Sequence, residues 1–175
     1  MPPVKKKSWG LLKPIAIAII LAAFLRYFFF AHIIVDGHSM MPSFRDRDHV
    51  LICKVCYKLS KPDRFDVVVF HATQKTDYIK RVIGLPGDTV EYKKDVLYVN
   101  GKKIKEPYLD QYKKETTGLL TYNFKTKVPK GTVFVLGDNR RNSRDSRYIG
   151  PIAENEIIGK GLVIFWPLKD FKIIH

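Results

Sequence analysis

Residues 14–34 are the one stretch of this chain long and apolar enough to leave water altogether, with Arg26 as their single charge among Lys, Arg, Asp and Glu. A bilayer core takes about 20 helical residues. Arg26 lies past the middle, where its long stem lets the guanidinium reach the interface. The aromatic run Tyr27-Phe28-Phe29-Phe30 behind it suits an interfacial belt. Residues 1–13 carry Lys5, Lys6, Lys7 and Lys13 and no acid, with Trp9 as a plausible interfacial anchor. That asymmetry places the N-terminus on the cytoplasmic side. No small-residue cleavage site follows the run, where Phe30-Ala31-His32-Ile33 stands, so the segment reads as a retained anchor and not as a cleaved leader.

The remainder, residues 35–175, is enough for one domain with its own core. A chain that is 46% hydrophobic and 13% aromatic belongs to a folded protein. Its formal net charge of +14 calls for an anionic partner. With an anchor in place the phospholipid surface is the economical choice. The basic residues are dispersed and form no nucleic-acid signature, so nucleic acid is not expected as a partner.

From Asp36 onward the helical period disappears. Short β-rich runs occupy residues 50–53, 66–70, 78–83, 89–92, 96–99, 132–136 and 162–166, separated by turn signals. Asn100-Gly101 fits a type I′ hairpin turn, whose central residues need positive φ. The fold class is therefore mainly β, an all-β domain of short antiparallel strands in two or more sheets behind one transmembrane helix. Residues 106–130 are polar and lysine-rich and read as a long, weakly structured excursion.

Cys53 and Cys56 form a C-x-x-C pair, the spacing of a redox couple or half a zinc site. No second cysteine pair exists, and His32, His38, His49, His71 and His175 show no ligand spacing. No metal or other cofactor is expected. In an extended strand, residues three apart lie roughly 10 Å from each other on opposite faces. That is beyond disulfide reach, so both read as structural thiols.

Ser39 stands in Asp36-Gly37-His38-Ser39-Met40-Met41-Pro42, directly after the apolar run. A serine there is either a turn residue or a nucleophile awaiting a base. His38 is adjacent, but neighbours in an extended segment point to opposite faces. Most lysines sit among other charges. Lys80, in Tyr78-Ile79-Lys80-Arg81-Val82-Ile83, is bracketed by apolar residues and shares a strand face with Tyr78 and Val82. Burial there would lower its pKa, which a lysine needs before it can take a proton near neutral pH. Arg81 cannot serve, because a guanidinium keeps its proton. A polar block from Gly137 to Arg147 follows a strand. It is either a solvated loop or the support of a site.

Four blocks in this order resemble those of type I signal peptidases, the short single-span form of Gram-positive bacteria. They are Gly37-His38-Ser39-Met40-Met41-Pro42-Ser43, Arg64-Phe65-Asp66-Val67-Val68-Val69, Lys80-Arg81-Val82-Ile83-Gly84-Leu85-Pro86-Gly87-Asp88, and Gly137-Asp138-Asn139 through Asp145-Ser146-Arg147. The resemblance implies a Ser-Lys dyad of Ser39 and Lys80. It implies Ser143 bonded to the lysine, Asp145 with Arg147 in support, and Asp138 with Arg81 as a second pair. The Ser39 N–H would be one oxyanion donor. Gly37, His38 and Met40 would line the oxyanion and substrate side, Gly37 supplying no hydroxyl. The implied substrates are secretory preproteins cut after small residues, bound as an added strand. The implied location is the bacterial cell membrane, with the domain of residues 35–175 outside. The same fold without activity would make an anchored binding module. Phe44 and Trp166 are apolar residues that such a protein could rest on lipid.

Overall fold

The computed structural model describes residues 9–73 and 76–174, the side chains of 9–12 and 25 excepted. The basic tail at residues 1–8 and the Trp9 side chain lie outside the described residues. In chain order, helix α1 (Trp9–Phe29) runs directly into strand β1 (Phe30–Ile34). Then come β2 (His49–Cys53), α2 (Cys56–Leu59), β3 (Val67–Thr73), β4 (Thr76–Gly84), β5 (Thr89–Lys93), β6 (Val96–Val99) and β7 (Lys102–Ile104). The second half holds α3 (Asp110–Glu115), β8 (Phe124–Lys127), β9 (Thr132–Leu136), α4 (Ser146–Ile149), β10 (Ile152–Ala153), β11 (Ile157–Trp166) and β12 (Lys172–Ile173).

The strands make two antiparallel sheets. One has eight strands, in the order β1-β2-β11-β3-β4-β9-β10, with β12 on β11. The other has four, in the order β7-β6-β5-β8. Strand β3 is buried on both faces, and its two-residue period divides it. Val67 and Val69 join Val35, Met40, Phe44, Val50, Ile52, Ile79 and Ile164 on one side. Val68 and Phe70 join Val82, Val133, Val135 and Ile152 on the other. A third cluster lies where the sheets meet, from Ile83, Phe134 and Leu136 of the first to Val90, Tyr92, Leu97 and Val99 of the second. Gly84 allows that approach: a Cβ there would stand 2.5 Å from Val90 Cγ2 and 2.8 Å from Val128 Cγ2. The expected hairpin turn joins β6 to β7, with φ of 51° at Asn100 and 77° at Gly101.

Three expectations change. The apolar run does not stay helical to residue 34: residues 30–34 pair with β2, Phe30 opposite Cys53 and Ile34 opposite His49. An apolar composition serves a lipid-facing helix and a sheet strand alike, so no change of residue type marks the boundary. Cys53 and Cys56 are joined in a disulfide with their Cα atoms 5.6 Å apart. The strand ends at Cys53, and Val55 turns into the α region before α2, which shortens the expected extended span. Residues 106–130 are not weakly structured. Strand β8 pairs with β5, and Glu106, Leu109, Leu120, Thr121 and Val128 are buried. Among the described residues no helix is long and apolar enough to cross a membrane.

Candidate active site

Ser39 lies in the turn between β1 and β2. Met40 and Phe44 plug that turn into the core, at 1% and 2% exposure. Phe44 is therefore a core residue and not a lipid contact, whereas Trp166 is exposed. The plug leaves Ser39 facing a cleft of about 540 Å³, whose lining includes Gly37, His38, Val69, Tyr78 and Lys80. Met40, expected in that lining, points the other way into the core.

Lys80 comes from the middle of β4, opposite Val68 of β3. Its Nζ donates to Ser39 Oγ at 2.8 Å and to the Ile79 carbonyl at 2.7 Å, and lies 4.9 Å from the centre of the Tyr78 ring. Burial lowers its pKa to about 8, against smaller upward pulls from Asp145 and Asp138. A useful fraction of the amine is then neutral near physiological pH. His38 is exposed; its carbonyl accepts from Asn139 Nδ2 at 3.0 Å.

The 137–147 block is built around two buried carboxylates. Asp145 takes a bidentate grip from Arg147, Nε to Oδ1 and Nη2 to Oδ2, both at 2.8 Å. Its Oδ2 also accepts the Gly137 N–H at 3.0 Å, and its Oδ1 accepts the Arg147 N–H at the start of α4. Asp138 is gripped the same way by Arg81, Nε to Oδ1 at 2.9 Å and Nη2 to Oδ2 at 2.7 Å. Burial pulls against the Arg81 charge, but Asp138 outweighs it and raises the guanidinium pKa.

Ser143 departs from expectation. Its buried Oγ has no hydrogen-bond partner among the described residues, and Lys80 bonds Ser39 and Ile79 instead. It sits against Gly137, where a Cβ would collide with Ser143 Oγ and the Ser39 carbonyl. Only glycine admits both neighbours.

Sequence reasoning missed Arg140, Glu106, Tyr92 and Tyr108, which form a buried polar cluster beside this block. One signal was available. Tyr92 falls on the inward face of β5 with Val90, and a buried tyrosine needs a partner for its hydroxyl. Among the described residues no group of three or more His, Cys, Asp or Glu side chains is placed to hold a metal ion.

A serine hydroxyl held against a lysine that burial keeps partly neutral, at the wall of an open cleft, is equipped for acyl transfer by a serine hydrolase. The sequence model described as signal peptidase, peptidase S26, matches residues 8–166, and the chain belongs to that family of serine endopeptidases. It is 46% identical to signal peptidase I of Bacillus caldolyticus, over 95% of this chain and 96% of that protein. It is 42% identical to signal peptidase IB of Staphylococcus aureus strain COL, over 97% and 95%. A crystal structure of a signal peptidase I from Enterococcus faecalis superposes with a TM-score of 0.55. That match has 40% identity and covers 58% of this chain and 97% of that one.

Proposed function

We propose that this protein is a type I signal peptidase, which removes N-terminal signal peptides from exported preproteins with Ser39 as nucleophile and Lys80 as general base. The observation that carries the reading is the 2.8 Å contact between Lys80 Nζ and Ser39 Oγ, with the lysine 3% exposed. Neutral Lys80 takes the Ser39 proton as Oγ attacks the scissile carbonyl. The oxyanion is received by the Ser39 N–H, which meets no acceptor among the described residues. The lysine then passes its proton to the leaving amine, and the acyl-serine ester remains. Water, deprotonated by the Lys80 amine, hydrolyses the ester, and Lys80 returns the proton to Ser39 Oγ as the acyl group leaves. Ser143 Oγ is the acceptor for Lys80 while Ser39 is acylated, which gives its unpartnered hydroxyl a use. Asp145 with Arg147 and Asp138 with Arg81 hold the frame of the block.

The cleft is lined by Ile33 and Ile34 of β1 and Tyr78 and Ile79 of β4, strand residues suited to a peptide bound as an added strand with small side chains facing the wall. In this reading α1, 21 residues long, belongs to the single-pass anchor, although the described residues alone hold no helix long and apolar enough to cross a membrane. Its described side chains Ile15, Ile17, Ile19, Ile20, Leu21 and Phe24 are exposed. The N-terminus is cytoplasmic and the β domain lies on the outer face.

The test is direct. Detergent-purified protein is incubated with a preprotein carrying an Ala-x-Ala site, and the new N-terminus is sequenced. Cleavage after the second alanine is expected, and Ser39→Ala should lose several orders of magnitude in rate. An uncut wild-type reaction would instead leave an anchored binding module of the same fold.

A further inference from the structure

Arg140 is the largest fully buried side chain among the described residues. A guanidinium taken out of water is costly unless its charge and donors are met, and those of Arg140 are. Nη2 donates to Glu106 Oε1 at 2.7 Å and to the Tyr108 hydroxyl at 3.0 Å. Nη1 donates to the Tyr92 hydroxyl and to Thr121 Oγ1 at 3.3 Å. The Tyr92 and Tyr108 hydroxyls in turn donate hydrogen bonds to Glu106 Oε1, and Lys113 Nζ donates to Oε2 at 3.4 Å. Burial would push the Glu106 carboxyl up, but Arg140, the Tyr92 hydroxyl and Lys113 together outweigh it and hold the carboxyl below its ordinary range.

The remaining donor leads to the site. Arg140 Nε donates to the Gly137 carbonyl at 3.0 Å, folding the side chain back across its own turn. Within that turn, the Asn139 N–H donates to the Ser39 carbonyl at 3.0 Å and Asn139 Nδ2 to the His38 carbonyl at 3.0 Å. The His38 carbonyl and the Ser39 N–H belong to one planar peptide unit. A bond that fixes the carbonyl therefore fixes the direction of the N–H. The buried cluster is thus joined by short links to the proposed oxyanion donor, and Glu106 supplies the countercharge that keeps Arg140 in place.

We propose that Glu106 is a positioning residue: through Arg140 it holds the 137–140 turn so that Asn139 aims the Ser39 N–H at the developing oxyanion. This rests on the assignment of Ser39 and Lys80 above. It differs from a purely structural role because a structural role ends once the buried charges are removed together. The test is the double variant Glu106→Leu/Arg140→Met, since an apolar pair of similar volume usually replaces a buried ion pair without loss of stability. It should stay folded at the assay temperature, losing only what the unpaired Tyr92 and Tyr108 hydroxyls cost, keep KM for the preprotein within about twofold, and lose roughly 10- to 100-fold in kcat, a substantial part of what one oxyanion donor supplies. Asn139→Ala should cost much in the wild-type background and little in the double variant, because its effect runs through the same turn. Wild-type kcat in the stable double variant, or an equal Asn139→Ala loss in both backgrounds, overturns the proposal. If the double variant does not fold, Tyr108→Phe keeps both charges and removes one hydroxyl. A severalfold fall in kcat at constant KM then supports the proposal, and unchanged kcat overturns it. Wild-type protein that leaves the preprotein uncut refutes the peptidase reading instead, so the two failures are distinguishable.

Discussion

The cleft around Lys80 and the cluster around Arg140 each bury a cation almost completely, at 3% and 2% exposure, yet they treat it in opposite ways. Arg140 has Glu106 at 2.7 Å and four further acceptors. Lys80 has hydrogen-bond partners but no carboxylate within salt-bridge distance among the described residues. Burial without a paired charge favours the neutral form, and burial with one favours the ion. The first arrangement leaves a base available for chemistry. The second locks a turn. The cost of one and the gain of the other belong to a single domain, which is how an active site and its support ordinarily divide.

The most severe way to break the comparison is to make the first cation permanent. Lys80→Arg keeps charge, length and donors but cannot release its proton. It should be as inactive as Lys80→Ala, by about a thousandfold or more in kcat/KM, with unchanged circular dichroism. In the wild type, log(kcat/KM) should rise with a slope near one below pH 8 and level off above it, following the amine that burial brings to about 8.

Truncating the two cations separates them next by stability. Arg140→Met leaves Glu106 charged in the core with only the longer Lys113 ion pair at 3.4 Å among the described residues, which should cost up to about 3–5 kcal/mol in urea unfolding. Lys80→Met should act in the other direction. Its amine falls from an ordinary 10.5 to about 8 on folding. Between those values the unfolded chain binds the extra proton, so stability rises with pH through that window. Below pH 8 the charged amine costs the fold about 3 kcal/mol at 1.36 kcal/mol per pKa unit. Lys80→Met should therefore unfold at higher urea near pH 7, by up to that amount, and should lose the rise between pH 8 and 10.5.

The smallest effect lies outside both regions. Cys53→Ser/Cys56→Ser removes a disulfide that closes a short loop next to α2. A loss of about 2 kcal/mol is expected, with kcat on a soluble peptide unchanged. A fall in kcat there would mean that the turn after β2 communicates with the cleft, and that the comparison has omitted a third region.

Much of this was legible in the residues. Strands β3, β4, β5, β6 and β9 follow their β-branched and aromatic runs, and the Asn100-Gly101 turn follows from the positive φ that those residues accept. Ser39 and Lys80 could be singled out because each is a local anomaly, a serine in a Gly- and Pro-bounded segment just after the apolar run and a lysine on an apolar strand, and the four-block resemblance joined them. Strand β1 was hidden because its composition continues that of α1. The disulfide was hidden because a turn at Val55, which no residue there signals, halves a distance that an extended chain would keep.

Arg140 and Glu106 mark the other limit. In the sequence they are charged residues among other charged residues, with the appearance of a solvated loop. Local sequence determines the period of a strand, the hand of a turn and the chemistry a side chain can perform. Whether a charge is buried depends on what distant segments bring to it, and the carboxylate that meets Arg140 comes from 34 residues away. The same holds for Lys80, whose contact with Ser39 spans 41 residues. Each residue type came from the sequence. The desolvation that lets one cation give up its proton and the ion pairing that keeps the other charged are properties of the packed interior, and only the tertiary structure could decide them.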